Sequence, residues 1–267
     1  MQDILELHDA VNYRYLKSNS YGTVFIAIEM RSLKPPEDSI IRISDLSLVM
    51  DCSSSMQGEK FKQAKKSALQ LFELLDDDYY YLSVISFDKS ARVALGSTKK
   101  SESKSAEQDV IRNLKLGKGT NIYEGLELAF KEISDEPEVY DSSSNNAVRP
   151  RRKVLLTDGQ ASVGKIKEAD FIDLSKRIRQ QDITVGTIGI GDKYDQELLQ
   201  AIAETGGGLL YHVKEINELQ NIFSEQADEL TRTIQINPTL TITLMPGAQI
   251  QDIYMVTPTL KKLGINK

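Results

Sequence analysis

The sequence is poor in the residues from which many functional sites are assembled. Its 267 residues include one cysteine, two histidines and no tryptophan. The single thiol, Cys52, rules out an intrachain disulfide. No Asn-x-Ser/Thr acceptor is present; Asn19-Ser20-Tyr21 and Asn237-Pro238-Thr239 both miss. The opening MQDILELHDAVNYRY has neither the basic start nor the apolar stretch of a secretory signal. These three absences point to a reducing, intracellular setting, and a cytoplasmic location is the expectation. No apolar run approaches the ~20 residues needed to span a bilayer, so no membrane insertion is expected. A basic excess is also missing. The 33 Lys+Arg against 39 Asp+Glu give a net charge of −6, which excludes nucleic-acid binding through bulk charge. No Gly-x-Ser-x-Gly elbow, phosphate-binding loop or His-Glu-x-x-His motif occurs. His8 and His212 have no acid or nucleophile pattern beside them and read as structural or surface residues. The last residues, Lys261 to Lys267, follow a strand-like segment without a clear stop, so a longer parent protein is expected.

What is present is a regular alternation of strand and helix patterns. Ser47-Leu48-Val49-Met50 is a short apolar run ending on Asp51, the pattern of a buried strand. Phe61, Ala64, Ala68, Leu71, Phe72 and Leu75 then repeat at helical spacing, and Asp76-Asp77-Asp78 closes that helix. Tyr79 to Phe87 reads as a strand, with Arg92 to Leu95 as a short one beside it. Gly96 to Gln108 reads as a polar loop leading to a short helix near Val110–Leu114. Gly117 to Asn121 reads as a tight turn. Ile122, Leu126, Ala129, Phe130 and Ile133 mark the next helix face. Pro137 to Pro150 reads as a long loop. Lys153 to Thr157 is a second buried strand, ending on Asp158-Gly159. Beyond it come a helix from about Lys167 to Gln180, a strand from Ile183 to Ile190 and a helix from Asp195 to Glu204. Gly206-Gly207-Gly208 closes that helix. A strand from Leu209 to Val213 and a helix from Ile216 to about Thr231 complete the series. This alternation predicts an α/β fold with a mostly parallel sheet and helices on both faces.

The chain ends differ. Val24, Ile26, Ile28 and Met30 alternate, as do Leu240, Ile242 and Leu244. A Pro246-Gly247 turn and an apolar stretch from Ile250 to Val256 follow. Both ends read as antiparallel strands. The expected organisation is an α/β domain over 44–231, with residues 1–43 and 232–267 pairing into one small β-domain.

Three short segments carry the chemistry. Asp51-Cys52-Ser53-Ser54-Ser55 and Thr157-Asp158-Gly159 each follow an apolar strand directly, and Gly119-Thr120 lies in a turn. In an open parallel sheet, ligands bind beyond the carboxyl ends of the strands. An aspartate there serves no packing purpose and is costly to bury unpaired. Asp51, Asp158, Ser53, Ser55 and Thr120 make an all-oxygen set suited to a hard cation. Mg²⁺ fits best, with Mn²⁺ or Ca²⁺ as alternatives. If the neutral hydroxyls bind directly and the aspartates act largely through water, the metal stays electrophilic. It would then take an anionic oxygen, naturally an Asp or Glu of another protein.

These segments, in this order and context, resemble the von Willebrand factor A domain, where they form the metal-ion-dependent adhesion site. The resemblance covers roughly residues 44 to 230. It implies a Rossmann-like sheet with a short antiparallel edge strand near Arg92–Leu95. It implies direct metal coordination by Ser53 and Ser55. Thr120, Asp51 and Asp158 would bind directly or through water. The flanking strands are similar to those of intracellular prokaryotic members, in which the chain ends form a β-sandwich. The glycine usual within the first motif is Ser54 here. The implied function is metal-dependent protein interaction without catalysis.

Two other readings stay open on sequence. An aspartate-nucleophile phosphohydrolase would need an acid two residues after Asp51, where Ser53 stands. A scaffold with a vestigial metal site is also compatible. The simpler roles are a helix cap for Thr120, a turn for Asp158-Gly159 and a buried small residue for Cys52. The basic run from Arg149 to Lys153 reads as a solvated cluster preceding its strand, at the end opposite the metal site. The Ser-rich stretches around Ser97–Ser105 and Ser142–Ser144 read as solvated loops open to phosphorylation.

Overall fold

The structure is a computed structural model that describes residues 5–11, 22–32, 44–75, 79–103, 105–132, 150–215, 218–232, 241–255 and 261–263. The chain divides into two units, Met1–Ile236 and Asn237–Lys267.

The first unit is built on a six-stranded sheet. Its strands are β3 (Ser44–Asp51), β4 (Tyr80–Phe87), β5 (Ala91–Lys99), β6 (Arg151–Thr157), β7 (Ile183–Ile190) and β8 (Gly207–Val213). The order across the sheet is β5-β4-β3-β6-β7-β8. All neighbours are parallel except β5, which runs antiparallel to β4 along the edge. β5 continues to Lys99, past the four residues expected of it, and the short helices α2 (Lys100–Ser103) and α3 (Ala106–Asn113) replace much of the expected loop. The ladder to β4 reaches Lys99 through two register shifts, and this irregular pairing hides the strand from a simple periodicity reading.

Helices cover both faces, as a parallel sheet requires. Leu46, Leu48 and Met50 of β3 point to the face covered by α1 (Glu59–Leu74), α3 and α7 (Leu219–Arg232). Val49 of the same strand points to the other face, under α4 (Ile122–Lys131), α5 (Glu168–Arg179) and α6 (Gln196–Gly206). Each face therefore has its own apolar layer, and every residue of β3 is buried. The chain reverses its direction of travel across the sheet between β3 and β6, so the crevice at their carboxyl ends is the topological switch point.

The amino ends of these strands differ from expectation. β6 begins at Arg151, so the basic run enters the strand, and Lys153 is fully buried rather than solvated. Its Nζ donates to Ser47 Oγ at 2.6 Å and to the Glu132 carbonyl at the end of α4 at 3.0 Å. Ser47 Oγ in turn lies 2.6 Å from Ser83 Oγ, and Arg151 Nε lies 3.4 Å from Asp45 Oδ2. The ammonium finds partners on β3 and at the end of α4, which is what permits its burial.

The terminal strands are antiparallel, as expected. β1 (Leu5–Val11) pairs with β2 (Ile26–Ser32), and β9 (Ile253–Met255) with β10 (Lys261–Leu263). Each pair forms its own two-stranded sheet among the described residues. The strand expected from Thr239 to Leu244 is not formed over 241–244, and Ile242 and Leu244 are exposed; residues 239 and 240 lie outside the described residues. Alternation yields a strand only where a neighbouring edge offers hydrogen bonds. The expected loops at 137–149 and the Asp76–Asp78 helix stop also lie outside the described residues.

Candidate metal centre

The switch-point crevice collects the five residues named from the sequence. Asp51 ends β3 and is completely buried. Its Oδ1 accepts from the Ser53 backbone N–H at 2.7 Å, and its Oδ2 accepts from the Thr157 hydroxyl. Burial pushes the Asp51 carboxyl above its ordinary value; the bonds from Thr157 and Ser53 pull it back, and the charge of Asp158 adds to the rise. Both Asp51 oxygens are thus engaged in holding the ends of β3 and β6 in place.

The hydroxyls face outward from this base. Ser53 Oγ lies 2.8 Å from Ser55 Oγ, and Ser55 Oγ donates to Asp158 Oδ1 at 2.8 Å. Ser55 is exposed, whereas Ser53, Thr120 and Asp158 are buried, so the site opens at Ser55. Thr120 enters from the turn before α4. A Cβ built on Gly159 would stand 3.6 Å from Ser55 Oγ and 3.9 Å from Thr120 Oγ1. The missing side chain of Gly159 therefore leaves a concavity lined by both hydroxyls. Gly119 adopts a left-handed φ of +78°, and an added Cβ there would press on Val163 at 2.9 Å, which makes glycine a requirement of this turn.

The arrangement fits a divalent cation on its own chemistry. Two carboxylates and three hydroxyls converge, and an ammonium already lies among them: Lys60 Nζ sits 2.6 Å from Asp158 Oδ2. Among the described residues no three His, Cys, Asp or Glu side chains gather into a metal-holding group. A cation here would rely on hydroxyl oxygens, which suits a hard ion.

The comparison with known families decides the classification. The model of the von Willebrand factor type A domain matches residues 45–225. The chain belongs to the von Willebrand factor type A (VWA) domain family. It is 29% identical over 224 residues to an uncharacterized protein of Synechocystis sp., covering 83% of this chain and 50% of that protein. It thus spans half the length of that relative, and 32% of the length of an uncharacterized protein of Escherichia coli that it also resembles. A solved VWA structure from Catenulispora acidiphila superposes with a TM-score of 0.64 at 17% identity, covering 85% of this chain and 49% of that one. Proximal thread matrix protein 1 of the mussel byssus superposes with a TM-score of 0.56 at 20% identity, covering 72% and 46%; its metal-ion-dependent adhesion site holds zinc in that structure.

Several features of this VWA site were not read from the sequence. Lys60 is one, and helical spacing in the first turn of α1 was its only signal. Ser162 is another: its Oγ accepts from the Thr120 backbone N–H at 3.1 Å, and its own N–H donates to the Thr120 carbonyl at 3.0 Å. The cap of α4 is Asn121, not Thr120; its Oδ1 accepts from the Glu124 N–H. That leaves the Thr120 hydroxyl available to the crevice. Asp88 ends β4 much as Asp51 ends β3, but it is engaged by the Ser90 N–H at 3.0 Å and by Arg92 at 3.2 Å. Burial works to raise its pKa, and these bonds outweigh it, leaving a net depression. Ser54 needs no glycine, since Asp182 is the one non-glycine residue with positive φ among the described residues. Cys52 is buried, and burial pushes its thiol up to about 12, consistent with an inert small side chain. His212 shares a 2.6 Å hydrogen bond with the Tyr194 hydroxyl.

Proposed function

We propose that this chain is a metal-dependent protein-interaction module rather than an enzyme. Ser53, Ser55 and Thr120 would hold the cation, with Asp51 and Asp158 acting on it directly or through water. Mg²⁺ suits the hydroxyl-rich set best. When bound, the ion supplies an electrophilic position that takes an Asp or Glu carboxylate from a partner protein. The observation that carries this reading is the convergence of Ser55 Oγ, Thr120 Oγ1 and Asp158 Oδ1 at an opening where Ser55 is exposed.

The chain's own residues have clear parts in this. Thr157 and the Ser53 N–H fix the Asp51 carboxylate, so it holds the base of the site rigid. Ser162 positions Thr120 through its backbone. Position 53, where an aspartate-nucleophile phosphohydrolase would carry its second acid, holds Ser53, which supports the non-catalytic reading.

A pull-down from the source organism's lysate in Mg²⁺ and in EDTA, run beside Asp51→Ala, tests the reading. The expected result is a partner retained only with metal and only by wild type, with a loss of about 100-fold or more in affinity for the variant, roughly 2.7 kcal/mol. Partners indifferent to both chelation and substitution would move the function away from the crevice. Turnover of a generic phosphate ester, lost in Asp51→Asn, would replace it with hydrolysis.

A further inference from the structure

The two loops that bring Thr120 and Asp158 to the crevice share a composition that the metal site does not require. Residues 114–121 read Leu-Lys-Leu-Gly-Lys-Gly-Thr-Asn, and residues 158–167 read Asp-Gly-Gln-Ala-Ser-Val-Gly-Lys-Ile-Lys. Apart from Asp158 they contain four lysines and no acid, in a chain whose net charge is −6. Each loop also exposes a large apolar side chain between lysines: Leu116 is 37% exposed and Ile166 is 58% exposed. The loops are joined, since the Ser162 and Val163 N–H groups both donate to the Thr120 carbonyl. Lys89 belongs to the same rim, with its Cβ 3.3 Å from where a Gly119 Cβ would lie. Lys165 stays exposed while resting 4.2 Å above the Tyr123 ring. Lys89, Lys115, Lys118 and Lys167 are exposed. Glu59 pairs with Lys62 and Asp88 with Arg92, while Asp170 and Glu127 attract Lys165 and exposed Glu168 follows Lys167, so the lysines outnumber the unpaired acids around the rim without being free of them.

Resting on the proposed carboxylate-binding function, we infer that these loops form the partner-facing surface and that it fits an acidic, apolar peptide segment. The segment would carry the metal-bound Asp or Glu with further carboxylates and a large apolar residue close by in sequence. The lysine surplus of these loops attracts such a segment and repels a basic one, and the exposed Leu116 and Ile166 supply apolar area on the same loops. The lysines act mainly on encounter rate and on choice of partner, while the metal contact fixes position.

A random dodecapeptide phage library, selected on the whole chain in Mn²⁺ and in EDTA, tests this directly. The same selection is run on Lys115→Glu/Lys167→Glu. The expected outcome is metal-dependent enrichment of peptides with two or more acids and a Leu, Ile, Phe or Met within three positions of each other, with that enrichment reduced about tenfold in the double variant. Mn²⁺ affinity of the double variant, measured by calorimetry, is expected to stay within about threefold of wild type and reports that the variant is folded. Metal-dependent enrichment of peptides with neutral or basic flanks, or equal enrichment on both proteins, would overturn the inference and leave the carboxylate reading intact. Enrichment that ignores metal, or none at all, would overturn both.

Discussion

The same two strands carry a polar cluster at each end, and the clusters solve the same electrostatic problem in opposite ways. At the amino ends of β3 and β6 lie Asp45, Ser47, Arg151 and Lys153. At the carboxyl ends lie Asp51, Ser53, Ser55 and Asp158. The amino-end cluster brings its own cations. Arg151 faces Asp45, and Lys153 is bound to Ser47 and to the last carbonyl of α4, so it needs nothing from outside. The carboxyl-end cluster has two buried aspartates and one tethered cation, Lys60, whose side chain is 38% exposed. It is under-compensated and open. Buried charge matched from within is a structural device, whereas buried charge left partly unmatched beside an exposed hydroxyl is what the proposed metal-binding role draws on.

The largest expected break of this comparison is at Lys153. Lys153→Ala removes a long buried stem and the two hydrogen bonds its ammonium donates, and should lower stability in urea unfolding by about 3 kcal/mol. Lys153→Met keeps the volume and should recover most of that loss. Mn²⁺ binding by the folded protein should be unchanged in both. A change in metal affinity comparable to that of Asp158→Ala would erase the distinction between the two ends.

A second measurement sharpens it. Burial pulls the Lys153 ammonium down to about 8, helped by repulsion from Arg151 and opposed by attraction to Asp45 and Glu132. A folded-state value below the unfolded one of ~10.4 means the unfolded chain binds more protons between these limits, so this group's contribution to stability rises with pH through that window. The contribution is fully present above ~10.4 and is lost as pH falls to about 8, with an upper bound of roughly 3 kcal/mol. The difference in unfolding free energy between wild type and Lys153→Met, followed from pH 7 to about 10.5, isolates it from other titrations. A flat difference would mean that Lys153 keeps an ordinary proton affinity.

The smallest expected effect lies at the open end. Lys60→Met withdraws the tethered cation from Asp158, so the carboxylate is free for an external ion. Calorimetry should show Mn²⁺ binding about tenfold tighter, roughly 1.4 kcal/mol, with stability changed by less than about 0.5 kcal/mol because the lysine is half exposed. Unchanged or weaker metal binding would mean that Lys60 supports the site instead of competing for it.

Much of this was legible in the residues. β3 could be read because a central parallel strand is buried on both faces, and Leu48-Val49-Met50 is therefore an unbroken apolar run. Asp51, Ser53, Ser55 and Asp158 could be placed at the carboxyl ends of strands because they directly follow apolar runs, and Thr120 could be placed in a turn because it follows Gly119. The extension of β5 to Lys99 was not legible, since its ladder is irregular and its residues are only partly buried. Lys153 was misread because a lysine in a basic run carries no local mark of burial. Its partners are Ser47, 106 positions earlier, and the end of α4, and no window of sequence contains them. Ile26, Ile28 and Met30 show a converse case: they alternate well, form β2, and stay exposed. Periodicity specifies a strand but not what covers it.

The sequence by itself determined the α/β alternation, the positions of the strand ends and the oxygen-donor inventory of the crevice. These are local properties, set by side-chain period and by what each segment must bury. The tertiary structure alone decided which donors share a point in space, which carboxylate is engaged in holding the frame, and which lysine faces the carboxyl-end crevice and which the core. Those are properties of pairs separated by about a hundred residues, and only the packing of β3 against β6 brings the members of each pair within hydrogen-bonding reach.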